Sequence, residues 1–257
     1  MQSIALDGIV NAVELAQTAM KFVPDGKQME VLSSRSRRLL LNCSRQWGKS
    51  TTAAWKAAHR AVLEAGSLVV LVSPTERQTG ELFRKTGQAL EEMGFERKSD
   101  GTHSLSWVLP NGSRILGVPG TEATVRGYSA ASLVIVDEAA RVEDELYRSL
   151  RPMLAVSNGD LILLSTPFGE RGFFWREWVE GGDSWTRLSV SAQDCPRISR
   201  EFLDGEWKSM GDQWFRQEYL CAFIGMENQA FRREWMERAK EEGLNTRKLV
   251  VPGWRFN

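Results

Sequence analysis

Cysteine is scarce in this chain: Cys43, Cys195 and Cys221 are the only three in 257 residues, and no two form a C-x-x-C pair. That usage argues against a zinc site and against a disulfide framework. No apolar run approaches the roughly 20 residues needed to span a bilayer. The opening Met1-Gln2-Ser3-Ile4-Ala5-Leu6-Asp7-Gly8 lacks the basic start and long apolar stretch of a secretory signal. A reducing cytoplasm is the expected compartment, with no membrane partner. Net charge is missing too, because 33 basic and 33 acidic residues cancel. This excludes a histone-like basic surface but not a local track for nucleic acid. No repeat or low-complexity tract occurs. What is present, 42% hydrophobic and 26% charged residues, suffices for a sizeable core in one large α/β domain, with or without a small appendage.

Residues 43–51, Cys-Ser-Arg-Gln-Trp-Gly-Lys-Ser-Thr, are the most informative stretch. The apolar run Leu39-Leu40-Leu41 precedes them, and a helix-forming segment from Ala53 to Ala58 follows. Strand, Gly-Lys-Ser loop and helix are the setting that a phosphate-binding loop requires. The backbone N–H groups of Cys43, Ser44, Arg45, Gln46, Trp47, Gly48, Lys49, Ser50 and Thr51 would offer partial positive charge to a polyphosphate. Lys49 would reach the β- and γ-phosphates, and the Ser50 hydroxyl would ligate Mg²⁺. Cys43 occupies the place where the general pattern has its first glycine. The second half of the site is Leu133-Val134-Ile135-Val136-Asp137-Glu138. Such an apolar run reads as a parallel strand buried on both faces. It ends in two carboxylates at the edge where α/β sheets bind ligands. Asp137 is expected to hold Mg²⁺, and Glu138 to orient and polarise the attacking water. The two motifs together indicate a nucleoside triphosphatase.

Along the chain, residues 4–22 read as an amphipathic helix broken at Pro24-Asp25-Gly26. A short helix at 27–32, a strand at 38–43, a helix at 49–65, a strand at 68–72 and a helix at 75–93 follow. Residues 104–118 read as a hairpin turning at Asn111-Gly112. A strand at 132–137, a helix near 143–154 and a strand at 161–164 complete the pattern. The alternation predicts a mainly parallel sheet covered by helices on both faces. Beyond residue 170, two aromatic-rich helical segments bracket a strand-like 185–190, and this part is expected to form a smaller lid. The expected division is a triphosphatase core with its helical start over 1–169, a lid over 170–225 and a tail over 226–257 with a helix at 231–242. Arg35, Arg37 and Arg38 read better as a solvated approach to the first strand than as a DNA track. Trp175, Trp178, Trp185, Trp207 and Trp214 read better as packing of the small unit than as platforms for bases.

In their order these motifs resemble the ATPase half of the large terminase subunit of tailed bacteriophages, the motor that packages DNA. The loop variant Cys43–Ser50, with its Arg45-Gln46 pair and no first glycine, carries the resemblance together with Val134–Ala140. Leu164-Ser165-Thr166-Pro167 is similar to the family's motif coupling hydrolysis to movement. With Val125-Arg126-Gly127 added, the likeness covers roughly residues 25–225. It implies a P-loop fold of the ASCE type with a C-terminal lid, ATP and Mg²⁺ as cofactors, and double-stranded DNA as the cargo. It also implies a homo-oligomeric ring at the portal of a procapsid, with a small terminase subunit, in the cytoplasm of an infected bacterium. An isolated single domain is compatible with a monomer.

The resemblance places Gln28 as the residue that recognises adenine; an exposed helix residue is the alternative. Arg126 matches an arginine acting in trans on a neighbouring subunit's nucleotide, and Arg45 is its rival in cis. Either guanidinium could neutralise charge on the γ-phosphoryl oxygens. The hydroxyls of Ser165 and Thr166 would sense the γ-phosphate or its water, an ordinary strand terminator being the alternative. Family members usually continue into an RNase H-like nuclease. This chain leaves no room for one after Val250-Val251-Pro252-Gly253, so DNA cleavage is expected from a separate or missing domain. Two other readings remain. One is a superfamily 2 helicase-like remodeller, which Asp137-Glu138-Ala139-Ala140 and the lack of a second ATPase-like domain disfavour. The other is a nucleotide-binding assembly component without turnover.

Overall fold

A computed structural model of the chain describes residues 23–119 and 128–225. In chain order its elements are α1 (Gly26–Ser33), β1 (Arg38–Cys43), α2 (Lys49–Leu63), β2 (Leu68–Ser73) and α3 (Glu76–Glu92). The hairpin β3 (Ser106–Val108) and β4 (Arg114–Pro119) comes next, then β5 (Leu133–Asp137), α4 (Asp144–Leu150) and β6 (Asp160–Ser165). The last are α5 (Gly172–Glu180), β7 (Thr186–Val190), α6 (Arg200–Met210) and α7 (Asp212–Leu220). The expected helix at 4–22, the Val125-Arg126-Gly127 segment and the tail at 226–257 lie outside the described residues. No helix among the described residues is long and apolar enough to cross a membrane.

The seven strands form one sheet in the order β3-β4-β2-β5-β6-β1-β7. Every neighbouring pair is parallel except β3 and β4, which the Asn111-Gly112 hairpin makes antiparallel. The central strands are apolar at nearly every position because both faces are covered. Alternate residues serve opposite faces. Leu39, Leu41, Val69, Leu71, Ile135 and Leu164 pack with α1, α2 and α3. Leu40, Val70, Val72, Val134, Val136 and Leu163 pack with α4 and α5. Alanines 53, 54, 57, 58 and 61 let α2 lie close against the sheet, and all are buried.

Strand β6 sits between β1 and β5, with Asn42 opposite Ser165 and Leu164 opposite Asp137. This register brings three chain segments level at one edge: the loop after Cys43, Asp137-Glu138, and Ser165-Thr166-Pro167. The strand expected in a separate lid is instead the last strand of this sheet, since β7 pairs with β1 from Leu39 opposite Thr186 to Cys43 opposite Val190. Helix α5 likewise buries Phe173 and Phe174 in the main core. Among the described residues, only α6 and α7 have a core of their own, built on Ala192, Leu203, Phe215 and Tyr219. The expected packing of tryptophans holds for Trp185, 7% exposed, but not for Trp207 and Trp214, which are 51% and 58% exposed. Arg35 and Arg37 are exposed, while Arg38 donates to the Gly159 carbonyl.

Candidate active site

The loop after β1 is shaped by contacts behind it. Cys43 ends the strand fully buried, and burial pushes its thiol well above the ordinary range. The Ser44 N–H donates to the Val190 carbonyl at 2.9 Å, and the Arg45 N–H donates to the Glu218 carbonyl at 3.1 Å. The amides from Gln46 onward, at the head of α2, are then placed to face an anion. Gly48 has φ +98°, and a Cβ there would lie 2.9 Å from Gln28 Nε2, so the turn into α2 needs glycine. The Trp47 ring is fully buried, and its carbonyl accepts from Gln28 Nε2 at 3.2 Å and Arg197 Nη2 at 2.5 Å.

Gln28 itself is 1% exposed. Its Oε1 accepts from the Asp25 N–H at 3.0 Å, and its own N–H donates to Asp25 Oδ1 at 2.9 Å. The two residues form a capping box on α1. Each end of the Gln28 amide thus makes one hydrogen bond inside the protein, so Gln28 is not the exposed helix residue of the alternative reading.

The carboxylates meet the loop from β5. Ser50 Oγ donates to Asp137 Oδ2 at 2.6 Å, and Asp137 Oδ1 accepts from the Glu138 N–H at 2.9 Å. Burial raises the Asp137 carboxyl, opposed by Lys49 and by the Ser50 bond. Glu138 adopts φ +53°, a left-handed conformation uncommon outside glycine and often found at functional sites. Its Oε1 lies 2.9 Å from Lys49 Nζ. Burial pulls the Lys49 ammonium down, but Glu138 and Asp137 more than reverse this, so it is held charged.

A cavity of about 360 Å³ opens here, within the range of ligand pockets. Arg45, Gln46, Gly48, Lys49 and Ser50 form one wall, and Glu138, Arg141 and Thr166 another. Helix α3 closes it with Gln78 and Lys85. Ser165 Oγ donates to the Thr166 carbonyl at 2.8 Å, whereas Thr166 Oγ1 is buried without a partner. The Arg45 guanidinium pairs with the buried Glu218 carboxylate, a bond that raises the arginine further. Ser50 Oγ and Asp137 Oδ2 are adjacent hard oxygen donors, a set that fits Mg²⁺ with phosphate and water completing its shell. Among the described residues, no group of three or more His, Cys, Asp or Glu is placed to hold an ion alone.

The model of the family described as terminase large subunit, T4likevirus-type, N-terminal, matches residues 40–238. The chain belongs to the terminase large subunit family. The terminase large subunit of Escherichia phage T5 is 24% identical over 220 residues, covering 81% of this chain and 50% of that protein. The chain thus spans about half the length of the curated relatives it matches. Among solved structures, the large terminase ATPase domain of Thermus phage P74-26 superposes with a TM-score of 0.73 at 21% identity. That match covers 84% of this chain and 100% of the other. The large terminase of another thermophilic bacteriophage, solved in complex with ATP-γ-S, has a TM-score of 0.65 at 15% identity, covering 77% and 52% of the two chains. The shared fold is the P-loop ASCE type, and β6 between β1 and β5 is its inserted strand.

Of the terminase residues singled out from sequence, the structure brings Arg45, Gln46, Gly48, Lys49, Ser50, Glu138 and Thr166 to one cavity, with Asp137 reached through Ser50. Cys43, Ser44 and Trp47 are buried behind it, and Thr51, Ser165 and Pro167 are not on its wall. Arg126 lies outside the described residues. Gln78, Lys85, Arg141 and Glu218 were not foreseen. Gln78 and Lys85 did carry a signal: seven residues apart, they share one face of a helix.

Proposed function

We propose that this chain is the ATP-hydrolysing motor domain of a terminase, driving double-stranded DNA into a procapsid. The observation that carries the reading is a double contact in one cavity, Lys49 on Glu138 and Ser50 on Asp137. A polyphosphate arriving at the head of α2 competes with Glu138 for the Lys49 ammonium. Glu138, once displaced, is a free carboxylate beside the γ-phosphate, able to hold and polarise the attacking water. Hydrolysis is then tied to occupancy, because the base is released only by the substrate. Mg²⁺ held by Ser50 and Asp137 would supply charge neutralisation across the β- and γ-phosphates.

Lys85 and Arg141 add positive charge to the same cavity. Either Arg126 from a neighbouring subunit or Arg45 from this one would complete the compensation. The unpartnered Thr166 hydroxyl supports the idea that Ser165-Thr166-Pro167 senses the γ-phosphate. The thermophilic phage terminase solved with ATP-γ-S supports the choice of nucleotide. Family membership supports double-stranded DNA, a small terminase subunit and a capsid portal as partners, a ring as the working assembly and the host cytoplasm as its place.

The test is ATP turnover by the full chain against protein concentration, for wild type and Glu138→Gln, with and without duplex DNA. Turnover should climb steeply with concentration, and Glu138→Gln should lower it by about 10²-fold or more while ATP still binds. Glu138-dependent turnover that is flat in concentration would assign the arginine to Arg45 in cis. Unimpaired turnover in Glu138→Gln would refute the mechanism.

A further inference from the structure

Arg141 ends the short helical turn Ala139–Arg141 that follows Glu138, and its N–H donates to the Glu138 carbonyl at 2.9 Å. Its side chain lines the same cavity as Thr166. The guanidinium carbon lies 4.1 Å from the centroid of the Phe168 ring, and that of Arg171 lies 4.2 Å from the same centroid. Phe168 is the residue directly after Ser165-Thr166-Pro167. The carboxylate neighbour of Arg141 among the described residues is Glu218, 3.9 Å away and already engaged by Arg45. Arg141 therefore faces the cavity while held by two weak partners, a ring face and a shared, distant carboxylate.

We propose that Arg141 reads the γ-phosphate and reports it to the coupling segment through Phe168. With a nucleoside triphosphate bound, the guanidinium moves from the ring to a γ-phosphate oxygen. When that phosphate leaves, the guanidinium returns to the ring. The segment Ser165–Phe168 is then clamped by Arg141 in one nucleotide state and released in the other.

The direction follows from bond strength. Charge-assisted, bidentate bonds from a guanidinium to phosphate are stronger than a cation–π contact on a side chain that is 31% exposed. A diphosphate lacks the group that makes the difference, so only the triphosphate can shift the equilibrium. The inference rests on the ATPase reading and adds to it a phosphate-contacting residue that the sequence motifs do not contain.

The experiment is equilibrium binding of ATP-γ-S and of ADP to the full chain. Arg141→Ala should weaken ATP-γ-S about tenfold while ADP stays within about twofold, and Arg141→Lys should restore part of the loss. Phe168→Leu removes the competing ring and should tighten ATP-γ-S roughly two- to threefold. That gain should vanish when Arg141 is also alanine, an interaction that a merely structural role for Phe168 would not produce. Equal losses for both nucleotides in Arg141→Ala, or a Phe168→Leu effect that survives without Arg141, would overturn the proposal. Binding that is Lys49-dependent yet blind to Arg141 sinks this inference alone. Nucleotide binding too weak to distinguish wild type from Lys49→Ala removes the ATPase reading and this proposal with it.

Discussion

Two cavities of similar size lie at opposite edges of the sheet, about 360 Å³ at the carboxyl edge and about 400 Å³ at the amino edge. Both are lined by lysine, arginine and carboxylate side chains. What separates them is the kind of partner that holds each cation. At the amino edge Lys56 Nζ donates to the carbonyls of Val31, Leu32 and Ser34 at 3.1, 3.0 and 2.5 Å. Arg60 is held by Asp160, by Glu64 and by the Ser132 carbonyl. Most of these acceptors are backbone atoms, and backbone fixed in packed elements cannot turn away. At the carboxyl edge Lys49, Arg45 and Arg141 rest on Glu138, Glu218 and the Phe168 ring. Those are side-chain groups rather than backbone atoms, and a phosphate can compete for the cations they hold. Volume and charge alone do not tell a binding site from scaffolding; partners that can be exchanged do.

The largest effect should come from breaking the carboxyl edge. Lys49→Ala removes the ammonium that a phosphate is proposed to capture, and nucleotide affinity should fall by about 100-fold or more, the cost of losing a desolvated charge partner. The melting temperature should move by only a few degrees, because the Lys49–Glu138 pair is a contact made to be given up. Calorimetric titration beside thermal unfolding of the same variant checks both halves. A large loss of stability with affinity intact would reverse the roles assigned to the two edges.

The mirror experiment at the amino edge has a smaller effect of the opposite kind. Asp160→Ala leaves the Arg60 guanidinium, whose side chain is 24% exposed, without its close carboxylate. The expected cost is about 1–3 kcal/mol of stability, or a fall of roughly 2–4 °C in Tm for each kcal/mol in a chain of this size. Nucleotide affinity should change by less than about twofold, since the two edges share no partner. A tenfold loss of affinity would mean that the edges communicate through the sheet.

This contrast was half legible in the sequence. Leu39–Leu41 and Leu133–Val136 announced central strands because burial on both faces leaves no polar position to blur the run. Gly48-Lys49-Ser50 and Asp137-Glu138 announced the site because each is local in the chain. Strand β7 is visible as a strand, but its pairing with β1 is not, and the pattern after residue 170 suggests a lid instead. As the last strand of the sheet it alternates, with Leu188 and Val190 buried and Thr186 and Ser189 exposed, and alternation does not reveal which sheet a strand joins. Glu218 was invisible because its partner Arg45 lies 173 residues earlier, and no spacing rule spans that distance. The structural part of Gln28 is local and legible, since Asp25-x-x-Gln28 is the spacing of a capping box.

The smallest predicted effect tests the amino edge by pH. His59 lines that cavity, and its Nε2 is buried without a partner. Burial, helped by Lys56 and Arg60, pulls the imidazole from its ordinary 6.5 down to about 4. Between those values the unfolded chain binds the proton and the folded chain does not, so stability rises with pH across this window. The contribution is fully present above pH 6.5 and is lost as the pH falls toward 4. After allowance for partial exposure of the ring it amounts to about 1–2 kcal/mol. His59→Gln replaces the titrating ring with a neutral amide and should flatten this part of the profile. The measurement is urea unfolding of both proteins from pH 7 to pH 4, and the difference between the two curves isolates the histidine from carboxylates that titrate nearby. Coincident curves would mean that the ring takes its proton at no cost where it sits. The amino-edge cavity would then accommodate a charge as readily as the carboxyl edge does, contrary to a scaffold in which Lys56 and Arg60 are already held.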